Sequence, residues 1–264
     1  MRRTFLLSLT LIVLLIATLP PAASTTMVVA QSLRVMTYNI HVGVGMDKKL
    51  DLQRIANVIA HEKPDLVGLQ EVDRGVKRTE GKDEIVELAS LTRMHYAFAH
   101  NLDYQGGQYG VAILSRYPIQ NIVHRKFANT RESERRGMLQ VEVNTGKRIL
   151  TFVTTHLDYQ YADGRLFEAE QLLGLLADVK GPLVVVGDFN DEPSGTTYKL
   201  MSGGFEDAWS RSKGAGLSYP ADKPVKRIDY IFTRRRDRFR VKKAWIVNTL
   251  ASDHLPVVAD IELR

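Results

Sequence analysis

The sequence predicts an α/β fold in which two β-sheets pack face to face with helices on the outside, all in one domain. Three observations predict it. Short apolar runs bounded by turn residues outnumber segments with helical spacing. Several runs in the middle of the chain follow one another across short turns, as antiparallel strands do. No Pro/Gly/Ser-rich linker divides the chain after residue 30.

Residues 1–30 stand apart. "MRR" precedes an apolar run over residues 5–19, then Pro20 and Pro21, then small residues ending "VVA" at Ala30. A basic start, an apolar middle and a small-residue exit form the layout of a secretory signal, and the run is shorter than the ~20 residues a spanning helix needs. Residues 1–30 are read as a signal peptide cleaved within 23–30, most simply after Ala30, and residues 31–264 as the folded domain. The protein is expected to be secreted or periplasmic, with no stable membrane insertion after cleavage.

"LRVMTYNI" opens the domain as a strand. "LDLQRIANVIAHEKP" puts Leu52, Ile55, Ala56 and Ile59 on one stripe, a helix ended by Lys63 and Pro64. "DLVGLQEVD" is the next strand, and a second helix is expected around residues 83–94. "GVAILSRYP", "GMLQVEVN" and "RILTFVTTHLD" read as successive antiparallel strands, followed by a helix over 166–179. In "LVVVGDFNDEP" the aliphatic run is short and continuous, the mark of a strand buried on both faces. Gly187 lets the backbone turn there and Pro193 prevents the strand from resuming. "RIDYIFTR", "FRVKKAWIV" and "LPVVADIEL" complete the strands, and Trp209 and Trp245 lie in segments that read as core.

Composition narrows the chemistry. The 264 residues contain no cysteine, which excludes thiol catalysis, thiolate metal ligands and disulfides despite expected export. Losing Arg2 and Arg3 lowers the formal charge from +6 to +4, compatible with an anionic substrate without identifying one. The dense cluster "TRRRDRFRVKK", residues 233–243, reads as the solvated face of a twisted hairpin, with a phosphate-backbone patch as the other reading.

Polar residues recur where the apolar runs begin or end: Asn39, Glu71, His156, Asp188 with Asn190, Asp229, and Asp253 with His254. Each alone fits a cap, a surface residue or a satisfied core histidine. In an antiparallel sheet, one strand's end and its neighbour's start share an edge. The recurrence therefore predicts one rim of catalytic groups.

In order, "TYN", "LQEVD", "YGVAILSRYP", "TTHLD", "GDFN", "RIDYIF" and "SDHLPV" resemble the endonuclease/exonuclease/phosphatase family, from residue 33 to the C-terminus. The resemblance is to its small exported bacterial branch. It implies a four-layer α/β/β/α sandwich of two packed, mixed, largely antiparallel sheets, and divalent-metal hydrolysis of a phosphate ester. Carboxylates and an amide without thiolates suit Mg²⁺ or Mn²⁺. Glu71 is then the expected principal ligand, with Asn39 and Asp253 in direct or water-mediated contact. His254 is the expected general base, aligned by Asp229, so hydrolysis should fall on acidification. By the resemblance, Asp188 and Asn190 orient the attacking water and bind the transition state, and Asp188 is the alternative base. His156 would hydrogen-bond a phosphate oxygen or protonate the leaving group.

Arg136, entering a strand, is similar to a phosphate-contacting arginine of family members, or else is an ordinary exposed charge. Tyr159 and Tyr161 either pack against the non-phosphate part of a substrate or cover the sandwich edge, and Arg165 would contact phosphate. Residues 101–110, "NLDYQGGQYG", read as a substrate-facing loop or a hairpin. The expected partner is a phosphate ester, diester or monoester, acted on by a monomer. A deoxyribonuclease-like activity is the alternative, not favoured because no basic-aromatic strip is evident. A catalytically inactive binding module is more remote, since no expected position is eroded.

Overall fold

A computed structural model describes residues 31–146 and 148–263 of the protein; the expected signal peptide and its cleavage region lie outside the described residues. The chain runs β1 (Gln31–Asn39), α1 (Leu52–Glu62), β2 (Leu66–Arg74), α2 (Glu84–Thr92), β3 (His95–Tyr104), β4 (Gly107–Ser115), β5 (Ile119–Lys126), β6 (Gly137–Asn144) and β7 (Ile149–His156). It continues through α3 (Ala162–Leu176), β8 (Leu183–Asp188), α4 (Thr196–Gly204), β9 (Phe205–Asp207), β10 (Asp229–Arg234), β11 (Phe239–Ile246) and β12 (Val257–Leu263).

Two six-stranded sheets result, ordered β11-β12-β1-β2-β4-β3 and β5-β6-β7-β8-β10-β9. Each has one parallel pair, β1 with β2 and β7 with β8, among antiparallel neighbours. Strand alternation feeds two cores at once. Val184 and Val186 pack between the sheets with Val35, Ile113 and Phe152. Leu183 and Val185 point the other way, under Leu172 of α3 and Met201 of α4. Ile55 and Ile59 of α1 and Leu88 of α2 cover Met36 and Leu69 on the opposite side. The layers are therefore α/β/β/α, and the unbroken aliphatic runs are strands buried on both faces.

The helix stripe of α1 is as expected, with Asp51 capping its start by accepting from the Arg54 backbone N–H and Lys63 ending it in a left-handed conformation. Other expectations are corrected. The helix expected over 166–179 starts a turn earlier and ends at Leu176. "GVAILS" and "GMLQVEVN" lie in different sheets, separated by β5, whose exposed edge position leaves it little apolar pattern. The arginine cluster does not form a hairpin, because β10 and β11 also belong to different sheets and a 3₁₀ turn, Arg235–Asp237, carries the chain across.

The two sheets pack tightly against each other at Gly68. A Cβ there would lie 2.3 Å from Val186 Cγ2 and 2.7 Å from Thr154 Oγ1. Beside it, Gln70 bridges the layers, donating from Nε2 to Thr154 Oγ1 at 2.9 Å and accepting from Thr37 Oγ1 at 3.3 Å. Gly68→Ala is expected to cost about 1–3 kcal/mol, read as a lower urea midpoint with an unchanged slope.

Candidate active site

The site forms where strands from both sheets end. His156, Asp188 and Asp229 occupy one register row across β7, β8 and β10. In the facing sheet Asn39 ends β1, paired with Gln70, and a register shift in β2 follows immediately. Glu71 sits in that irregularity with φ 56°, a left-handed conformation that costs a non-glycine residue ~1 kcal/mol and turns its carboxylate towards the cavity. At Gly187 a Cβ would stand 2.2 Å from the Thr155 carbonyl oxygen, which explains the glycine of "GDFN".

Asn39 joins the two sheets. Its Nδ2 donates to Glu71 Oε1 at 3.0 Å and to Asp188 Oδ2 at 3.1 Å, while its Oδ1 accepts from the His41 backbone N–H at 3.1 Å. It thus positions two carboxylates, with its own oxygen engaged away from them. On the other side, His254 Nδ1 lies 2.9 Å from Asp229 Oδ2, which also accepts from Ser218 Oγ at 2.6 Å. The loop that carries His254 is pinned by Ser252, which donates to the Asn39 carbonyl at 2.7 Å and accepts from the His254 backbone N–H at 3.2 Å. His254 Nε2 and His156 Nε2 approach Asp188 Oδ2 at 3.7 Å and 3.6 Å. Both ring nitrogens of His156 are engaged: Arg136 Nη1 lies 2.8 Å from Nδ1, and Asn190 Nδ2, which also donates to the Leu157 carbonyl, lies 3.0 Å from Nε2.

These groups floor a cavity of about 770 Å³. Glu71, Asp188, Asn190, Asp253, His156 and His254 line it, and Asn39 and Asp229 stand behind them. Arg136, expected as either functional or an exposed charge, is only 2% exposed, paired with Glu134 at 2.9 Å, and lines the cavity with its Nε unpartnered. Arg165 lines it too, anchored on the Asp158 carbonyl at 2.8 Å. The two tyrosines divide: Tyr159 stands at the rim, whereas Tyr161 lies outside the lining, under the Arg131 guanidinium. Residues 101–110 are both hairpin and wall, since the β3–β4 tip brings Leu102, Tyr104 and Tyr109 to the cavity. Sequence reasoning missed Arg78, whose guanidinium stacks on Tyr104 and Tyr109 and is held by buried Asp73 at 2.7 Å. It also missed His41, although that residue follows "TYNI" directly.

Residues 36–254 match the model of the endonuclease/exonuclease/phosphatase family. The chain belongs to this family. YbhP of Escherichia coli (strain K12) is 28% identical over 249 residues, 88% of this chain and 97% of YbhP. The crystal structure of an endonuclease/exonuclease/phosphatase from Beutenbergia cavernae superposes with a TM-score of 0.70 and 26% identity, covering 88% of this chain and 72% of that one. A Bacteroides thetaiotaomicron mannosyl-6-phosphatase shares the fold at TM-score 0.72 and 17% identity, over 87% of this chain and 99% of its own.

As an endonuclease/exonuclease/phosphatase protein, the chain is a hydrolase of phosphoester bonds, and the family generally depends on divalent metal. The donor set fits such an ion. Glu71, Asp188 and Asp253 bring hard carboxylate oxygens to one cavity. Buried Asp188, Asp229 and His254 also place ligand atoms within 4.8 Å of one another, a group that could hold a metal ion.

The fields inside this endonuclease/exonuclease/phosphatase site separate its titrating groups. Burial, together with the Asp229 charge, pushes Asp188 up to about 7. Burial opposes protonation of His254, but the Asp229 and Asp188 carboxylates outweigh it and raise the imidazole to about 10. Burial and then the Arg136 charge push His156 well below its ordinary value, so it is neutral. The two carboxylates thus favour the protonated form of His254, the form that has no lone pair to take a proton. Neutral His156 suits hydrogen bonding to phosphate rather than protonation of a leaving group.

Proposed function

We propose that the protein is an exported phosphoesterase dependent on Mg²⁺ or Mn²⁺ that hydrolyses a phosphodiester or phosphomonoester with Asp188 as general base. The observation that carries this reading is a carboxyl group pushed up to about 7, on the floor of a cavity shared with Glu71, Arg136 and two histidines. Glu71, with Asp253, would hold the ion, which when bound neutralises charge on a phosphate oxygen.

The chain's own residues supply the rest. Arg136, oriented by its contact with His156, receives the phosphate by charge and hydrogen bonding, with His156 beside it on the cavity wall. The Asn190 backbone N–H donates to Asp188 Oδ1 at 2.9 Å and Asn39 holds Oδ2, so the carboxylate is fixed to take a proton from water. His254, charged and oriented by Asp229, balances the negative charge of Asp188 and offers its Nε2–H to the cavity floor. Tyr159 and Arg165 would meet the remainder of the substrate.

A bounded cavity walled by Tyr104, Tyr109 and Tyr159 favours a small ester over duplex DNA. Purified protein treated with chelator is expected to lose turnover and regain it with Mg²⁺ or Mn²⁺. The panel is bis-p-nitrophenyl phosphate, p-nitrophenyl phosphate, mannose 6-phosphate, sphingomyelin and plasmid DNA. Full turnover in excess chelator would refute the reading, and preferential plasmid cleavage would move it to a nuclease.

A further inference from the structure

The cavity wall built by the β3–β4 hairpin and the turn after β2 takes no part in the proposed hydrolysis. That 3₁₀ turn, Lys77–Thr79, is fixed to the hairpin tip. The Arg78 backbone N–H donates to Gln105 Oε1 at 3.0 Å, and a Cβ at Gly107 would stand 2.4 Å from the Arg74 carbonyl oxygen. The Arg78 guanidinium is held as firmly. Its Nε and Nη2 donate to the two oxygens of Asp73 at 2.7 Å and 2.9 Å. Its carbon lies 4.6 Å from the ring centre of Tyr104 and 5.2 Å from that of Tyr109. Asp73 is fully buried and also accepts from Thr79 Oγ1 at 3.2 Å. Arg78 Nη1 alone has no protein partner among the described residues, on a side chain that lines the cavity and is 35% exposed.

An ion pair that only tied the turn down would be complete with Asp73. The spare Nη1 stands instead on a wall shared with Glu134, whose carboxyl feels the charges of Arg136 and Arg78. Tyr109 links this wall to the reacting centre. Its ring packs on Arg78, while its hydroxyl lies among the charges of Glu71, Arg136 and Glu134. Arg78 is therefore set off from the phosphate-receiving Arg136 by about the width of a ring. Resting on the phosphoesterase reading, we propose that this wall is the subsite for the alcohol portion of the ester, a hydroxylated six-membered ring of the hexose kind, with Arg78 as its specificity-determining residue. Two features choose hydroxyls over a second anion. A hydroxyl accepts from Arg78 Nη1 and donates to Glu134, whereas an anion only accepts and is repelled by Glu134. The Arg78 charge is also already met by a buried carboxylate, so the group offers a directed hydrogen bond rather than a net field. Tyr104 and Tyr159, 40% and 58% exposed, supply flat apolar surface for the ring's C–H faces.

The test reads binding by calorimetry with Mg²⁺ present, in the full chain carrying Asp188→Asn so that turnover does not interfere, and then kcat and KM of the chain with Asp188 restored. The probes are the 6-phosphates of glucose, mannose and galactose, glucose 1,6-bisphosphate, and cyclohexylmethyl phosphate, which keeps the ring and lacks every hydroxyl. At least one hexose phosphate is expected to bind tenfold or more tighter than the carbocycle. Arg78→Lys keeps a positive charge against Asp73 but loses the fork and its spare nitrogen, and Tyr104→Ala removes an exposed ring. Each should cut the hexose-to-carbocycle ratio roughly tenfold, in KM more than in kcat. A purely structural role for Arg78 would weaken both ligands alike and leave the ratio where it was. Failure of every hexose phosphate to outbind the carbocycle, or an unaltered ratio in both variants, would overturn the proposal. So would tighter binding of the bisphosphate that is lost in Arg78→Lys, since the wall would then read a second anion. Absence of hydrolysis of these probes and of bis-p-nitrophenyl phosphate, with the binding ratio intact, would remove the phosphoesterase reading and leave the subsite standing.

Discussion

Glu71→Gln is expected to lower kcat/KM for a phosphodiester roughly 10²–10³-fold while the protein stays folded. The substitution keeps the side chain's shape and an oxygen able to accept from Asn39 Nδ2, so the hydrogen bond that joins β1 and β2 survives. What disappears is the negative charge facing the cavity, and the electrostatic contribution of a divalent ion to such a reaction is several kcal/mol, at ~1.4 kcal/mol per tenfold. Metal affinity measured by calorimetry should drop with turnover, and excess Mn²⁺ should restore part of the loss. Undiminished metal binding and turnover would transfer the ligand role to the buried Asp188, Asp229 and His254 group.

Asp188→Asn should have the second large effect, roughly 10³-fold on kcat, and it should also change the shape of the pH profile. A base works only when ionised. With Asp188 pushed up to about 7, kcat/KM of the wild type should climb with pH and level off above that value. The asparagine variant should lack this limb. His254→Gln separates the two candidate bases. The imidazolium lowers Asp188, so removing it should leave a slower enzyme whose limb moves to higher pH. If His254 were the base, that substitution would abolish the limb. Because these groups interact closely, the limbs report the cluster rather than either residue alone.

The parts of this molecule that could be read from sequence are those in which local pattern and tertiary demand agree. The aliphatic run ending at Gly187 is a buried strand because helices cover one face and the other sheet covers the opposite face. The α1 stripe is equally direct. The candidate site was legible as a set of positions, since Asn39, His156, Asp188 and Asp229 stand at strand ends, Glu71 at the irregularity within β2 and His254 in the loop before β12. Three features were not. Strand β5 was invisible because its exposed edge position removes the alternation that marks strands. Arg78 depends on a buried Asp73 and on tyrosines from another strand to be held at the cavity. The protonation states of Asp188 and His254 depend on burial and on which carboxylate faces which ring, and no linear spacing encodes either.

The Asn39 bridge means that the reactive centre straddles the seam between two independently hydrogen-bonded sheets. Small slippage along that seam would separate Glu71 from Asp188 without breaking a single strand pairing. Loss of function on warming should therefore precede loss of secondary structure, because alignment of the halves is the more fragile property.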